Sequence, residues 1–189
     1  MQRLAWISLA TLAVLLLLIA ASRWLPGPRA ALASPSLALG SASARSPVGL
    51  PKPERTPRTI NPDVTQANLA TTICSSGWTQ TVRPPAGYTN ALKLAQLVQY
   101  GYADRDPAHY QEDHLVPLEL GGAPRDPANL WPEPTTVTLP DGTSVGSDAK
   151  DGLEDYLHMR VCAGTLQLDE AQRLIANDWV AVWLQAGKP

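Results

Sequence analysis

An acid and an imidazole stand side by side at Asp113 and His114, and an amide, Asn129, follows fifteen positions after the histidine. A short apolar run and a loop containing Gly121 and Gly122 separate the pair from the amide. A carboxylate can hold a hard cation, an imidazole can take a proton from water, and an amide can orient the imidazole. Metal-assisted phosphodiester hydrolysis requires these three roles, so the segment predicts a hydrolytic site.

Two short strands are expected to carry these residues. The apolar runs predict a strand from His114 to about Leu118 and a return strand from Asn129 to Trp131, which the following prolines end. Neighbouring side chains on a regular strand point to opposite faces. Asp113 and His114 can therefore share a site only if they lie at the beginning of the strand, where the backbone is irregular.

Three helices complete the expected domain. The first runs to Tyr100 and stops at Gly101, and the last begins at Leu168 or Asp169. Between them, a helix from Ser147 or Asp148 to Val161 follows a small hairpin turning at Asp141-Gly142. The apolar seam of this middle helix is Leu153, Leu157 and Val161, and its neighbouring polar stripe is Asp151, Glu154 and His158. The pattern predicts an α+β domain, a small antiparallel hairpin packed by three helices.

The order of these features resembles the HNH, or His-Me finger, endonuclease superfamily. The resemblance lies in Asp113-His114, the Gly-Gly loop, Asn129-Leu130 and the polar helix that follows. The words Tyr110 to Gly122 and Asn129 to Glu133 also resemble small exported bacterial proteins described as HNH-endonuclease-like. The resemblance to the superfamily covers roughly residues 73–183. It implies a ββα-metal finger packed with additional helices.

The resemblance implies a role for each residue of the site. His114 would be the general base that deprotonates the attacking water, and Asp113 would be a ligand of one divalent cation, Mg²⁺ or alternatively Mn²⁺ or Zn²⁺. Asn129 would fix the loop and the orientation of the imidazole. The last ligand would be His158, with Glu154 one turn earlier able to coordinate instead or as well. The segment 132–146 departs from the compact spacing of the family, which leaves that last ligand open.

The chain divides into three parts. Residues 1–25 contain Arg3 followed by an apolar run of about eighteen residues, which fits either an uncleaved membrane anchor or a cleaved signal peptide. Residues 26–59 are rich in Pro, Ser, Ala and Arg and predict a disordered linker. Residues 60–189 remain for one folded domain. Both interpretations of the first part export the domain, and a membrane is a partner only if the segment is uncleaved.

The net charge changes sign at the boundary between residues 59 and 60. Residues 1–59 hold seven basic residues and one acidic residue, a net +6, whereas residues 60–189 hold eight basic and sixteen acidic residues, a net −8. Nonspecific nucleic-acid binding requires clustered Lys and Arg. The acidic domain therefore opposes a nuclease function unless a metal ion and local arginines carry the phosphate contact.

Both cysteines, Cys74 and Cys162, fall in the predicted domain. An even, minimal count in an exported chain predicts one disulfide, with two buried free thiols as the alternative. The sequence does not indicate a zinc site at these cysteines, because neither has a CxxC partner or a nearby histidine.

Two functions of different classes remain. The first is an extracytoplasmic, metal-dependent endonuclease that acts on DNA or RNA, which the Asp113, His114 and Asn129 set favours. The second is a noncatalytic envelope protein that keeps the finger as a scaffold or binds nucleic acid or another polymer, which the acidic charge favours. Nothing in the sequence indicates a protein partner.

Overall fold

The structure, a computed structural model, describes residues 49–189. The predicted segment 1–25 and the first part of the predicted linker lie outside these residues. The α-helices are α1 (Trp78–Val82), α2 (Ala86–Tyr100), α3 (Ser147–Cys162) and α4 (Leu168–Gln185). The strands are β1 (Tyr110–His114), β2 (Leu130–Pro134), β3 (Val137–Thr138) and β4 (Ser144–Val145). Helices and small antiparallel sheets thus combine as the predicted α+β class requires.

The site residues lie on the hairpin formed by β1 and β2. The strands are antiparallel, with Asp113 opposite Trp131 and His114 opposite Leu130. The prediction of a strand from His114 to Leu118 was wrong, because β1 ends at His114 and the chain turns through a 3-10 helix at Leu118–Leu120. Asp113 and His114 therefore lie at the end of a strand and not at its beginning.

The return strand β2 continues through two prolines that were expected to end it. Pro132 lies opposite Glu112 and Pro134 lies opposite Tyr110. Proline lacks an N–H donor, which limits it to edge positions of a sheet. The β1–β2 sheet has two strands, so β2 has an open outer edge where this donor is not needed.

The structure confirms the three predicted helices and most of their predicted ends. Gly101 ends α2 in the left-handed conformation with φ 68°, and α2 begins at Ala86, earlier than expected. The helix α3 follows the small β3–β4 hairpin as predicted. Within α4 the backbone leaves the helical region at Asp178, whose Oδ1 accepts a 3.0 Å hydrogen bond from the Ala181 amide and so caps the second half.

The main apolar core lies between α3 and α4. The predicted seam of α3 is buried and packs with the inward face of α4, in one cluster that includes Leu153, Leu157, Val161, Leu174, Ile175 and Trp179. Each such side chain contributes about 1.5–3 kcal/mol when it leaves water. A smaller cluster of Tyr100, Leu115 and Trp131 packs α2 near the β1–β2 hairpin. The main core thus fixes α3 against α4, and the smaller cluster fixes α2 near the hairpin that carries the site residues.

The segment 49–59 corrects the predicted linker, which was drawn from residue 26 to residue 59. Trp179 Nε1 donates to the Gly49 carbonyl over 2.9 Å, and the Arg58 amide donates to the Ala128 carbonyl over 3.2 Å. Thr56 is buried, and its hydroxyl bonds the Tyr100 hydroxyl. Composition suggested disorder because the segment has few large apolar side chains, but backbone groups of Gly49 and Arg58 and the hydroxyl of Thr56 bond it to the rest of the domain.

The predicted disulfide between Cys74 and Cys162 is confirmed. Their Cα atoms lie 5.6 Å apart, and 88 positions of sequence separate them. The bond links the irregular segment before α1 to the last residue of α3. A disulfide is typical of an oxidising compartment. Within residues 49–189, every helix is too short or too polar to cross a membrane.

The disulfide predicts a large stability difference between oxidised and reduced protein. A closed loop of this length contributes roughly 4 kcal/mol in the chain-entropy model. We expect reductant to lower the urea midpoint accordingly, measured by tryptophan fluorescence. In the Cys74→Ser/Cys162→Ser variant, reductant should have no further effect. An unchanged midpoint on reduction of the parent would show that the bond adds nothing to the fold.

Candidate active site

Asn129 closes the loop between β1 and β2. Its side chain is fully buried, Oδ1 accepts from the Val116 amide over 3.0 Å, and Nδ2 donates to the carbonyls of Val116 at 2.9 Å and Ala123 at 3.2 Å. A Cβ at Gly122 would lie 1.7 Å from the Val116 carbonyl oxygen, so only glycine fits beneath this amide. These bonds are all to backbone, so Asn129 holds the loop and makes no hydrogen bond to the imidazole of His114.

His114 lies at the end of β1 with its ring largely buried. Its Nε2 is 3.0 Å from the Pro124 carbonyl oxygen. A carbonyl only accepts, so Nε2 carries the proton and Nδ1 keeps its lone pair. Burial lowers the pKa of His114 below its ordinary value and outweighs the opposing effects of the Pro124 bond and Asp113. The imidazole is therefore neutral at pH 7, the form that can accept a proton.

Lys150, on the second turn of α3, is the centre of the site. Its side chain is fully buried, and Nζ donates to Asp113 Oδ2 over 2.5 Å, to the His114 carbonyl over 2.9 Å, and to Glu154. Burial by itself lowers the pKa of Lys150, but Asp113 and Glu154 outweigh it and raise the pKa above its ordinary value. The ammonium therefore stays charged and joins α3 to the end of β1.

More buried carboxyl groups surround this ammonium than it can neutralise. We call Asp113, Glu133 and Glu154 with Lys150 the Lys150 cage. Glu133 is 1% exposed, and neither of its oxygens has a hydrogen-bond partner among the described residues. Burial raises the pKa of Glu133 well above its ordinary value, and Asp113 raises it further. Burial likewise raises the pKa of Glu154, against the opposing charge of Lys150. The cage therefore either holds protons or accepts further positive charge.

Two carboxylates of the cage, with the neighbouring Asp151 outside it, offer oxygen ligands for a cation. Carboxylate oxygens of Asp113, Asp151 and Glu154 lie within 4.8 Å of one another. An all-oxygen set suits hard cations such as Mg²⁺ and Mn²⁺. The donor set thus fits a divalent ion on condition that the Lys150 ammonium gives up its carboxylate contacts.

The structure separates His158 from this group. His158 Nε2 lies 2.9 Å from the Ile73 carbonyl oxygen and 3.3 Å from Cys162 Sγ, at the disulfide. Of the two predicted helix ligands, Glu154 therefore lies with Asp113 and His158 does not.

Sequence reasoning missed Lys150 and Glu133. Lys150 precedes Glu154 by one helical turn, a spacing that indicates an ion pair. Glu133 follows the Asn129-Leu130-Trp131-Pro132 word directly and continues the same strand. The helical spacing was a usable signal for the pair, but nothing local indicates that either residue is buried.

Comparisons with known proteins do not add an assignment. No protein-family model matches this chain, and no curated protein or solved structure is significantly similar to it. The function therefore has to be argued from the site itself.

The buried amide of Asn129 predicts a stability cost that is independent of any catalytic role. Asn129→Ala removes its three bonds and leaves the Val116 amide and two carbonyls unpaired, so we expect a loss of about 2–4 kcal/mol. Chemical denaturation followed by circular dichroism measures it. The exposed Asn90 provides the control, since Asn90→Ala should change stability by less than about 0.5 kcal/mol. Equal effects of the two substitutions would rule out the loop-closing role.

Proposed function

We propose that this chain is an exported, metal-dependent endonuclease of the HNH, or His-Me finger, type that hydrolyses phosphodiester bonds of DNA or RNA. The observation that carries the proposal is the end of β1, where Lys150 Nζ contacts both Asp113 Oδ2 and the His114 carbonyl. There His114 Nε2 donates to the Pro124 carbonyl, which leaves Nδ1 able to accept a proton. The order of β1, β2 and α3 supports it, because α3 brings Glu154 to Asp113 through Lys150.

The proton transfer is assigned to His114. Nδ1 takes the proton of the attacking water, and the Nε2–H bond to the Pro124 carbonyl holds the ring and favours the imidazolium that forms. Asn129 maintains the loop that carries this carbonyl, a positioning role. Asp113 and Glu154, with Asp151, would hold a Mg²⁺ or Mn²⁺ ion. Such an ion supplies charge stabilisation of the phosphate and of the leaving oxygen.

Arg83 is the basic residue assigned to the phosphate. Its positive charge is the smallest of several causes that shift the pKa of His114, and it lowers that pKa. It is exposed and follows the end of α1. A guanidinium presents donors that match phosphate oxygens in pairs. Arg83 therefore supplies local positive charge next to the base within an otherwise acidic domain.

The proposed location is outside the cytoplasm. The Cys74–Cys162 disulfide supports an oxidising compartment. The segment 1–25 would then act as a membrane anchor or as a cleaved signal peptide, and the substrate would be nucleic acid outside the cell or in the envelope.

The second candidate function is a noncatalytic scaffold in the envelope. It is favoured by one observation, the Lys150 ammonium, which already occupies the carboxylates that a metal would need. In this alternative the lysine is a permanent substitute for the cation, and the finger binds a polymer or a partner without cutting it.

A test of metal binding at the Lys150 cage distinguishes the proposed nuclease from the proposed scaffold. Lys150→Met leaves buried carboxylates without a counter-charge, so we expect a loss of about 3–5 kcal/mol in the absence of divalent ions. If the cage binds Mn²⁺, the ion should raise the thermal midpoint of this variant more than that of the parent, because no ammonium competes. Differential scanning fluorimetry measures both midpoints, and the exposed Lys188→Met is the control. A midpoint indifferent to Mn²⁺ in both proteins would favour the scaffold.

Plasmid nicking by the full chain with Mg²⁺ or Mn²⁺, and with EDTA as a blank, tests the nuclease directly. His114→Ala should reduce the rate by about 10²–10⁴, the usual contribution of a positioned base. His109→Ala is the matched control, since this exposed histidine pairs with Asp104 away from the cage and should leave the rate unchanged. Arg83→Ala should raise KM more than it lowers kcat. If His114→Ala cuts as fast as the parent, with its fold checked by thermal unfolding, this finger does not catalyse the reaction.

A further inference from the structure

An imidazole lies directly beside the disulfide, one helical turn beyond Glu154 along α3. His158 Nε2 is 3.3 Å from Cys162 Sγ, and His158 and Cys162 are one helical turn apart. A ligand atom from each of Cys74, His158 and Cys162 lies within 4.8 Å of the other two. The expectation that neither cysteine has a nearby histidine was wrong. It overlooked this one-turn spacing, which places both side chains on one face of a helix.

We propose that after reduction of the disulfide these three residues bind one thiophilic divalent cation, such as Zn²⁺. Two thiolates and an imidazole are three of the four ligands of a tetrahedral zinc site, and water can take the fourth position. Sulfur and nitrogen ligands select softer cations than the oxygen ligands of the Lys150 cage. The chain therefore has two cation sites of different chemistry, and this one stands independently of the proposed nuclease.

The chemistry balances with an external dithiol as the reductant. The dithiol is oxidised to its own disulfide, and each sulfur of Cys74 and Cys162 gains one electron and one proton. The cation then displaces the two thiol protons into solvent. His158 changes tautomer, with its Nε2 proton released to solvent and a proton taken up at Nδ1, and the freed lone pair of Nε2 binds the cation. The hydrogen bond from Nε2 to the Ile73 carbonyl is lost in that step.

The positions of the three ligands do not depend on the disulfide alone. Ile73 is 3% exposed and belongs to the main core, and the Cys74 amide donates to the Leu69 carbonyl over 2.9 Å. On the helix side, Leu157 and Val161 hold α3 in the same core. Reduction therefore leaves both attachment points in place, and the two sulfurs need only separate from bonded to non-bonded distance.

The site is also open to its reactants. Cys162 is exposed, while Cys74 and His158 are partly exposed. A small dithiol can reach the bond, and a hydrated cation can enter without unfolding the core. The link between the segment before α1 and the end of α3 would thus exist in two forms, a covalent one under oxidising conditions and a metal-held one after reduction.

Cobalt binding to the full chain tests the proposal. The protein is reduced with a phosphine, freed of metal and titrated with Co²⁺. We expect one equivalent to produce the near-ultraviolet charge-transfer absorption of Co²⁺–thiolate bonds, and Zn²⁺ to abolish it. The oxidised chain should not show this absorption at any Co²⁺ concentration in the titration. Absence of this absorption from the reduced chain would overturn the proposal.

Two variants identify the ligands. His158→Ala should weaken Co²⁺ binding by at least about tenfold, given that even outer contacts of metal ligands are worth 10–100-fold. His109→Ala should bind as the parent does, because this exposed histidine pairs with Asp104 and not with the cysteines. Equal affinity of His158→Ala and the parent would show binding by two thiolates without the imidazole and would refute the three-residue site. Circular dichroism accompanies each titration, and a reduced chain that unfolds and is not restored by the cation would refute it as well.

Discussion

A single buried ammonium determines how the helix α3 meets the β1–β2 hairpin. Removing an ammonium and its carboxylate partners from water costs several kcal/mol per ion, which is recovered only when the geometry is good and every donor is used. Lys150 has three N–H donors, and they go to Asp113, Glu154 and the His114 carbonyl. Two of these contacts are on Asp113 and His114, the pair to which we assign metal binding and proton transfer. The position of His114 relative to α3 is therefore set by a directional polar contact, whereas apolar packing fixes α3 against α4.

In the proposed function, the Lys150 ammonium and a divalent cation would compete for the same carboxylate oxygens. A divalent ion brings more charge to the Lys150 cage, in which Glu133 and Glu154 have raised pKa values because they are buried. It must, however, replace an ion whose own desolvation has already been offset by its bonds. Carboxylates that are already paired with an ammonium bind a metal ion more weakly than unpaired carboxylates do. The fraction of protein with metal bound would therefore depend on the concentration of the ion around the protein. The nuclease and the scaffold differ only in the outcome of this balance.

Local patterns predicted the parts of the fold that depend on local chemistry. Gly101 ended a helix, the apolar seam of α3 turned inward, and two cysteines in an exported chain formed a disulfide. The strand at 114–118 was predicted wrongly because the apolar residues next to Pro117 form a buried 3-10 turn. Such a short turn leaves no hydrophobic periodicity in the sequence by which it could be recognised. His158 lies at the disulfide and not with Asp113, because a stripe at i, i+3 and i+7 from Asp151 spans about 10 Å along a helix. Burial of Lys150 depends on partners far away in sequence, which no local pattern reveals.

The prolines of β2 have a consequence for the protein in a crowded compartment. An open strand edge presents N–H and C=O groups on which another chain can add a strand, and such addition is a route to aggregation. Pro132 and Pro134 remove two N–H groups from the strand that forms one edge of the two-stranded sheet. A foreign strand that approached β2 would find acceptors without their matching donors. The outer edge of β2 can thus stay unpaired, and the prolines disfavour addition of another strand on that edge of the hairpin.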